Sequence, residues 1–422
     1  EQADELADRA GARLELAGIA VRNVDAERDV DLPRELFTTD AESLIVGADI
    51  VIELLGGIGP ARTYVRLAID SGADVVTGNK ALLATHGPEL FDAADRVGAT
   101  VSYEAAVAGA IPIIRPLRDS LAGDRVQRIM AIVNGTTNYI LDRMDTEGAD
   151  FADVLAEAQE LGYAEADPTA DVEAFDAAQK AAILASLAFH TTVPLESVHR
   201  EGITSIDAST IESARGAGYV IKLLAVYERL VTPAVDADGA DVESISARVY
   251  PALVSRTHPL AAVHGAYNAV FVEAEAAGDL MFYGAGAGGI QTASAVMGDV
   301  VSAARRHLAG GVGVGESTRA NLPIAPIGHV TTRYQITLEV EDQAGVLATV
   351  AGVLSEGGVS VATVEQTVDD PALASDDAAQ RTARLVIGTH KALEQHLSDT
   401  VQRLGESDVV RRVVSVLRVE GE

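Results

Sequence analysis

Residues 48–80 read ADIVIELLGGIGPARTYVRLAIDSGADVVTGNK, and the fold class follows from them. Ala48 to Leu55 is an apolar run closing on Gly56-Gly57, the pattern of a buried strand that ends in a turn. Ala61 to Ser71 has helical spacing, Asp74 to Thr77 is a second short strand, and Gly78-Asn79-Lys80 follows it. Upstream, residues 1–13 read as the tail of a helix ending at Gly11, and Leu14 to Val21 (LELAGIAV) predicts a strand ended by Arg22 and Asn23. Downstream, a helix at about Pro88 to Val97 leads into a strand at Thr100 to Tyr103. Strands alternating with helices at this spacing predict an α/β fold with a doubly wound parallel sheet.

In such sheets ligands sit beyond the carboxyl ends of the strands. Arg22, Gly56, Gly57 and Lys80 all fall there. A dinucleotide-binding sheet of the Rossmann type opens on a strand and G-x-G-x-x-G, and neither precedes residue 14. The expectation is a Rossmann-type sheet that lacks its first strand. Arg22 stands where an acidic residue would favour the ribose hydroxyl of NAD, so it leans towards a 2′-phosphate and NADP. The plainer reading is a solvent-facing arginine.

Composition narrows the function classes. The chain has 422 residues, 48% of them hydrophobic, enough for two or three domains with cores of their own. A formal net charge of −31 makes nucleic acid and anionic membranes unsuitable partners. Without cysteine there are no disulfides, thiolate nucleophiles or zinc–thiolate sites, and the nine histidines show no HExxH spacing. No run of about 18 apolar residues and no signal peptide is visible, so a cytoplasmic protein with no membrane span is expected. Of 32 basic residues only Lys80, Lys180, Lys222 and Lys391 are lysines.

From about Gly123 the pattern changes. Asp124 to Asn134 predicts a strand, Asn134 to Asn138 (NGTTN) a polar loop, and Tyr139 to Thr146 the beginning of a helix. A further helix at 151–161 leads into Gly162 to Lys180, GYAEADPTADVEAFDAAQK, where five carboxylates crowd a turn and a helix start. That helix is expected from about Val172 to His190, with Asp176, Lys180, Ile183 and Leu187 on one face. A charged pair on an apolar face is costly unless it serves something, and lysine, unlike arginine, can give up its proton. The ordinary alternative is a surface ion pair.

Strands near 242–249 and 269–275 and a helix near 213–230 suggest an open α+β domain. The turn Gly284 to Gly289 opens another helix; Gly288 and Gly289 suit an anion cradle, and equally a packing turn. The expected domains are 1–122 for the nucleotide, 123–310 for substrate and dimerisation (285–310 returning to the first), a linker at 311–330, and a module at 331–422. The last has strands at 334–340, 359–368, 382–388 and 409–419, helices at 346–356 and 391–404, and an acidic loop at 369–380. That is a βαββαβ, ferredoxin-like order.

With these residues read, the chain resembles the homoserine dehydrogenases, in their longer form with a C-terminal ACT domain. Asn134 to Leu141 matches the family's NGTTNYIL loop; Gly162, Tyr163, Ala164, Glu165, Asp167, Pro168, Asp171, Val172, Asp176 and Lys180 match its substrate motif, and Asp342 to Leu347 its ACT motif. Ala166 stands where proline is usual and Ala174 where glycine is usual. The resemblance implies interconversion of L-homoserine and L-aspartate 4-semialdehyde with NADP or NAD, in threonine and methionine biosynthesis. Glu165 and Asp176 would hold the substrate's ammonium and hydroxyl ends, with Asp171 supporting. Gly162, Tyr163, Asn134 and Thr136 would complete that site. Lys180 would exchange the hydroxyl proton, and Lys80 would be a second positive group beside cofactor and substrate. Glu104, Val107, Gly109 and Ile111 match the family's monovalent-cation loop, which would hold sodium largely through backbone carbonyls. The C-terminal module implies L-threonine as an effector, and a homodimer or homotetramer is expected.

Two other readings compete. A semialdehyde dehydrogenase working through an acyl-enzyme needs a cysteine nucleophile, which is absent. A truncated, catalytically impaired homologue acting only as an amino-acid-binding regulatory protein would keep the C-terminal module and lose the cofactor's cradle.

Overall fold

Asp74–Thr77 is buried at every position because strands lie on both sides of it: Ile50–Glu53, Asp74–Thr77 and Val101–Ser102 form a parallel sheet in that order. The helices Gly59–Asp70 and Lys80–Val97 supply the crossovers. The helix Gly289–Ala309 packs Ala295, Val296 and Val300 against Val76 and Ala105. A buried carboxylate at the head of the central strand is satisfied by its neighbours. Asp74 accepts from Thr100 N–H at 2.7 Å and its hydroxyl at 2.8 Å, and pairs with Arg306 and His307 of that last helix. The doubly wound expectation of parallel strands joined by helices therefore holds over these elements.

The structure is a computed structural model describing residues 2–28, 31–232, 241–310, 315–316, 318–368 and 382–421. The chain divides into two compact units: residues 1–127, 179–196 and 268–322, and residues 128–178, 197–267 and 323–422.

In the first unit two expectations are corrected. The strand expected over Leu14–Val21 reduces to Ile19–Ala20, since its described partner, the parallel Phe37–Thr38, is itself two residues long. The helix expected to start at Pro88 starts at Lys80. Asn79 caps it by accepting from Leu82 N–H at 3.1 Å, and burial of Leu82, Leu83, Leu90, Ala93 and Ala94 outweighs the hydrogen bond that Pro88 removes.

The second unit is built on one sheet, ordered Val126–Ile132, Tyr219–Thr232, Val242–Ser255, Val410–Glu420, Tyr334–Glu341, Thr382–Thr389, Val361–Val368. Its last four strands, with helices Val346–Glu356 and Glu394–Gly405, have the antiparallel 4-1-3-2 arrangement of a ferredoxin-like module. The acidic loop expected at 369–380 lies outside the described residues. Strand Val410–Glu420 also pairs in parallel with Val242–Ser255, Arg418 opposite Ala252, so the module continues the unit's sheet. Part of the expected linker is strand-like: Ile245 N–H donates to Pro323 and Ala325 N–H to the Ile245 carbonyl, at 2.9 and 2.8 Å.

The junction of the two sheet portions buries charge. Arg248, 1% exposed, pairs with Glu228 at 2.7 Å and Glu420 at 3.5 Å and donates to the Tyr250 hydroxyl at 2.8 Å. Glu420 also accepts from that hydroxyl at 2.5 Å and pairs with Arg128. Arg418 reaches Glu394 at 2.5 Å and Glu201 at 2.9 Å, and lies 4.5 Å over the Tyr250 ring.

Three further corrections concern local structure in this unit. Residues 219–232 are strand, the expected helix being confined to Ala208–Gly216. Gly218, at φ 85, turns the chain, and the β-branched and aromatic residues beyond it fit the interior of the sheet. The NGTTN segment is a helix start: Asn134 caps Gly135–Glu147. The single helix expected from Val172 is broken, as Thr169–Val172 and Phe175–Phe189 are separated by Ala174 at φ 61. Gly202 makes the break fit, because a Cβ there would lie 2.5 Å from the Val172 carbonyl oxygen.

Ala174 is fully buried in the left-handed region, which costs a non-glycine residue about 1–2 kcal/mol. Replacing it with glycine loses one buried methyl, worth about 0.8 kcal/mol. We therefore expect Ala174→Gly to leave the urea midpoint unchanged or raised. A fall of the size seen for glycine inside a helix, about 1 kcal/mol, would contradict this account of the break.

Candidate active site

In the second unit the site grows from one amide. Asn134 stands two residues beyond the Val126–Ile132 strand, where its side-chain oxygen accepts from Thr137 N–H and hydroxyl, both at 2.9 Å. Its NH2 group donates to Asp171 Oδ1 at 2.7 Å and Asp176 Oδ2 at 2.9 Å. Asp171 lies on the short Thr169–Val172 helix and Asp176 on the first turn of Phe175–Phe189. The left-handed break at Ala174 turns the second helix so that both carboxylates meet one amide. Thr136 donates to the Tyr163 carbonyl at 2.6 Å, and the Tyr163 ring lies 5.1 Å from that of Tyr139. Gly162, at φ 75, reverses the chain after Phe151–Glu160. Asn134, Thr136, Tyr163, Asp171 and Asp176 are thus brought together. Glu165 lies on the exposed part of the turn, its carbonyl held by Gln159 at 3.0 Å.

Lys180 follows Asp176 by four residues on Phe175–Phe189 and is half-buried, whereas Asp176, Ile183 and Leu187 are buried. This is the face on which the sequence put them.

The first unit holds the residues expected at the carboxyl end of the parallel sheet. Gly56 and Gly57 follow Ile50–Glu53 at φ 72 and 69, with open space where side chains would be. Asn79 donates to the Gly57 carbonyl at 2.7 Å and sits 3.4 Å from Glu53 Oε1, which also accepts Leu55 N–H at 2.7 Å. Buried Glu53 therefore shapes the glycine turn, and Lys80 opens the next helix directly after Asn79. Leu54, Leu55 and Ile58 are exposed around it. The turn with backbone open to approach fits a bound nucleotide.

Gly288 and Gly289 begin the Gly289–Ala309 helix. The turn before it is laid against the expected cation loop: Ala110 N–H donates to Ala285 at 3.0 Å, and a Cβ on Gly109 would lie 2.4 Å from the Gly286 carbonyl oxygen. Glu104 is buried, and its carboxylate accepts from Ile113 N–H at 2.6 Å, Ile114 N–H at 2.7 Å and Arg115 at 3.1 Å. With its carboxylate so occupied, only backbone oxygens of Glu104, Val107, Gly109 and Ile111 are suited to a cation. Ala108 and Gly109, both at φ 59, re-aim the peptides between them.

Arg22 is exposed just beyond Ile19–Ala20. The loop that follows forms a recess lined by Val24, Ala26, Arg28, Leu32, Arg34 and Phe37, with the Arg28 guanidinium 4.4 Å over the Phe37 ring. Sequence reasoning had singled out neither Arg28 nor Arg34; three arginines within thirteen positions of an acidic chain were the available signal.

A parallel sheet with glycine turns at its carboxyl end, in one chain with a unit where one amide gathers two carboxylates, fits a nicotinamide-dependent amino-acid oxidoreductase. Sequence comparison narrows this. The family profile described as homoserine dehydrogenase matches residues 112–301, and that of the homoserine dehydrogenase NAD binding domain matches residues 1–104. A homoserine dehydrogenase of Corynebacterium glutamicum is 54% identical, with 100% of this chain and 91% of that protein aligned. One from Mycobacterium tuberculosis is 53% identical, over 99% of this chain and 93% of its own. The crystal structure of a homoserine dehydrogenase from Thiobacillus denitrificans matches with TM-score 0.88 at 37% identity, covering 99% of this chain and 93% of that one. A hyperthermophilic archaeal homoserine dehydrogenase in complex with NADPH matches with TM-score 0.52 at 29% identity, over 65% of this chain and 76% of its own. The chain belongs to the homoserine dehydrogenase family, and it interconverts L-homoserine and L-aspartate 4-semialdehyde with a nicotinamide cofactor.

Proposed function

We propose that Asp176 and Glu165, supported by Asp171, hold the ammonium and hydroxyl ends of L-homoserine, and that Lys180 exchanges the hydroxyl proton. The observation that carries this is the Asn134 amide on both Asp171 and Asp176. An amide is neutral, so it gathers two negative charges without cancelling either, and an amino acid's ammonium suits such a locus. The nicotinamide, when bound, supplies or accepts the hydride. Lys180 takes the hydroxyl proton as homoserine is oxidised and returns it to the oxygen as the aldehyde is reduced. Lys80, at the head of its helix, steadies negative charge developing on that oxygen. Gly56, Gly57, Gly288 and Gly289 would let the cofactor approach the backbone, and a sodium ion would be held by backbone oxygens of the 104–111 loop.

The cofactor in this reading is NADP, its 2′-phosphate met by Arg22 and the recess that Arg28 and Arg34 line. The C-terminal module is read as an ACT domain that takes L-threonine, end product of a cytoplasmic pathway leading also to methionine. The pairs Arg418–Glu201, Arg128–Glu420 and Arg248–Glu420, with Arg248 also on Glu228, support a mechanical link between effector and substrate unit.

Following NADPH absorbance during homoserine oxidation, we expect Lys180→Ala to lower kcat by about 10²–10⁴-fold, as for loss of a general base. Asn134→Ala should raise KM for homoserine and leave that for the cofactor in place. Wild-type turnover in the first variant, or wild-type homoserine kinetics in the second, would remove these roles. Arg22→Asp should reduce the ratio of kcat/KM for NADP to that for NAD by about tenfold, the loss of one charge-assisted contact. An unchanged ratio would exclude arginine recognition of the phosphate. Finally, L-threonine added to the full chain should slow homoserine turnover, and an unaltered rate at millimolar threonine would leave the module without that effector.

A further inference from the structure

We propose that Lys222 is a positioning residue for homoserine oxidation, acting through Asn138 and the 263–267 loop on the helix start that carries Asn134. Lys222 lies on the Tyr219–Thr232 strand and is 2% exposed. Its Nζ donates to Asn138 Oδ1 at 3.1 Å and to the Val263 carbonyl at 2.6 Å. An ammonium has only donors, so it dictates which way the Asn138 amide faces. The Asn138 NH2 group is thereby directed at the loop, where it lies 3.2 Å from the Val263 carbonyl, 2.8 Å from that of Gly265 and 3.3 Å from that of Tyr267.

One turn along the same helix, Asp142 accepts from Gly265 N–H at 2.7 Å and meets His264 Nδ1 at 2.8 Å. At the helix start the fit is closer still. A Cβ on Gly135 would lie 2.6 Å from the Ala266 carbonyl oxygen. The 263–267 loop is therefore a brace for the first two turns of Gly135–Glu147, with Lys222 fixing it from below. Those turns begin at Asn134, whose amide spans Asp171 and Asp176. A tilt of the helix start moves that amide relative to the two carboxylates.

Burial pulls the Lys222 pKa down to about 8, against Asp142 and Asp145 on the Asn138 helix, which raise it, and with Arg256, which lowers it further. Asp145 is itself paired with Arg215 and Arg256, and Asp142 with His264. The brace is thus charged at neutral pH and loses its charge in mildly alkaline solution.

The inference rests on the substrate roles of Asp171 and Asp176 proposed above. Lys222→Met keeps the aliphatic stem and removes the donors. In the full chain we expect kcat/KM for homoserine to fall by about tenfold or more, the cost of one unmet buried acceptor. KM for the nicotinamide cofactor should stay as in wild type. The part of the wild-type kcat/KM profile that declines above about pH 8 should also disappear in the variant. Should Lys222→Met not fold, Lys222→Gln retains a neutral donor group without the charge, and the loss of kcat/KM and of the alkaline decline are read there. A folded variant with wild-type homoserine kinetics, or one whose melting temperature drops while kinetics and pH profile stay, would overturn the proposal. Asn134→Ala separates the two levels. If it leaves homoserine kinetics unchanged, the site assignment fails; if it impairs them and Lys222→Met does not, only the role of Lys222 fails.

Discussion

The second unit depends on the hydrogen-bonding capacity of one asparagine. A side-chain amide offers two acceptor sites and two donors, and Asn134 uses all four: Thr137 on the oxygen, Asp171 and Asp176 on the nitrogen. Each use fixes a different element. The oxygen starts the Gly135–Glu147 helix; the nitrogen ties that start to the Thr169–Val172 and Phe175–Phe189 helices. An aspartate here would bring a third negative charge and no donor, and a threonine would lack the reach. A carboxylate taken from water needs donors, since an unmet buried charge is costly. A neutral amide meets that need without cancelling the charge.

The same problem is solved differently at the sheet junction. There Arg248, Arg128, Arg418, Glu228, Glu420 and Glu394 are largely taken from water together and paired with one another, with half-exposed Glu201 at their edge. Such a set adds little net stability over a well-packed apolar core, but removal of one partner leaves a buried charge and is severe. What it gives is registration. Strand Val410–Glu420 can join Val242–Ser255 only where Arg418 and Glu420 find their partners, so the ferredoxin-like module meets the substrate unit in one defined alignment. A change of module conformation that displaced this strand would have to break those pairs.

How much of this was legible in the sequence depended on whether the signal was local. Ile50–Glu53, Asp74–Thr77 and the ferredoxin-like order could be read because apolar runs and glycine stops act over a few residues. The strand at 219–232 was missed because its neighbouring helix and its own apolar run merge until Gly218 is known to be left-handed. NGTTN looked like a loop because Gly, Thr and Asn disfavour helix interiors; the capping that reverses this preference is visible only once Asn134 Oδ1 is seen on Thr137. Ala174 was noted as standing at a glycine position, and the reason is the backbone: φ 61 is what that position demands. Asn134, Asp171 and Asp176 could be named together from the sequence, whereas the hydrogen bonds by which the amide gathers the two aspartates needed the fold.

Lysine usage ties these observations together. In a chain of 32 basic residues with four lysines, arginine is the default cation wherever a charge merely has to be solvated or paired. The buried junction follows that rule, with Arg248, Arg128 and Arg418 facing carboxylates that match a guanidinium's planar fork. Lys222 departs from it, and its partners explain why. They are an amide oxygen and a single carbonyl, which a compact ammonium can serve and a five-donor fork could not without leaving buried N–H groups unmet. In the role proposed for it, Lys180 would depart from it for the other reason lysine offers, a side chain that can exchange a proton where arginine cannot. The two roles proposed for these lysines thus draw on different halves of one chemistry: a small cation that fits where arginine cannot, and an acid whose proton can move.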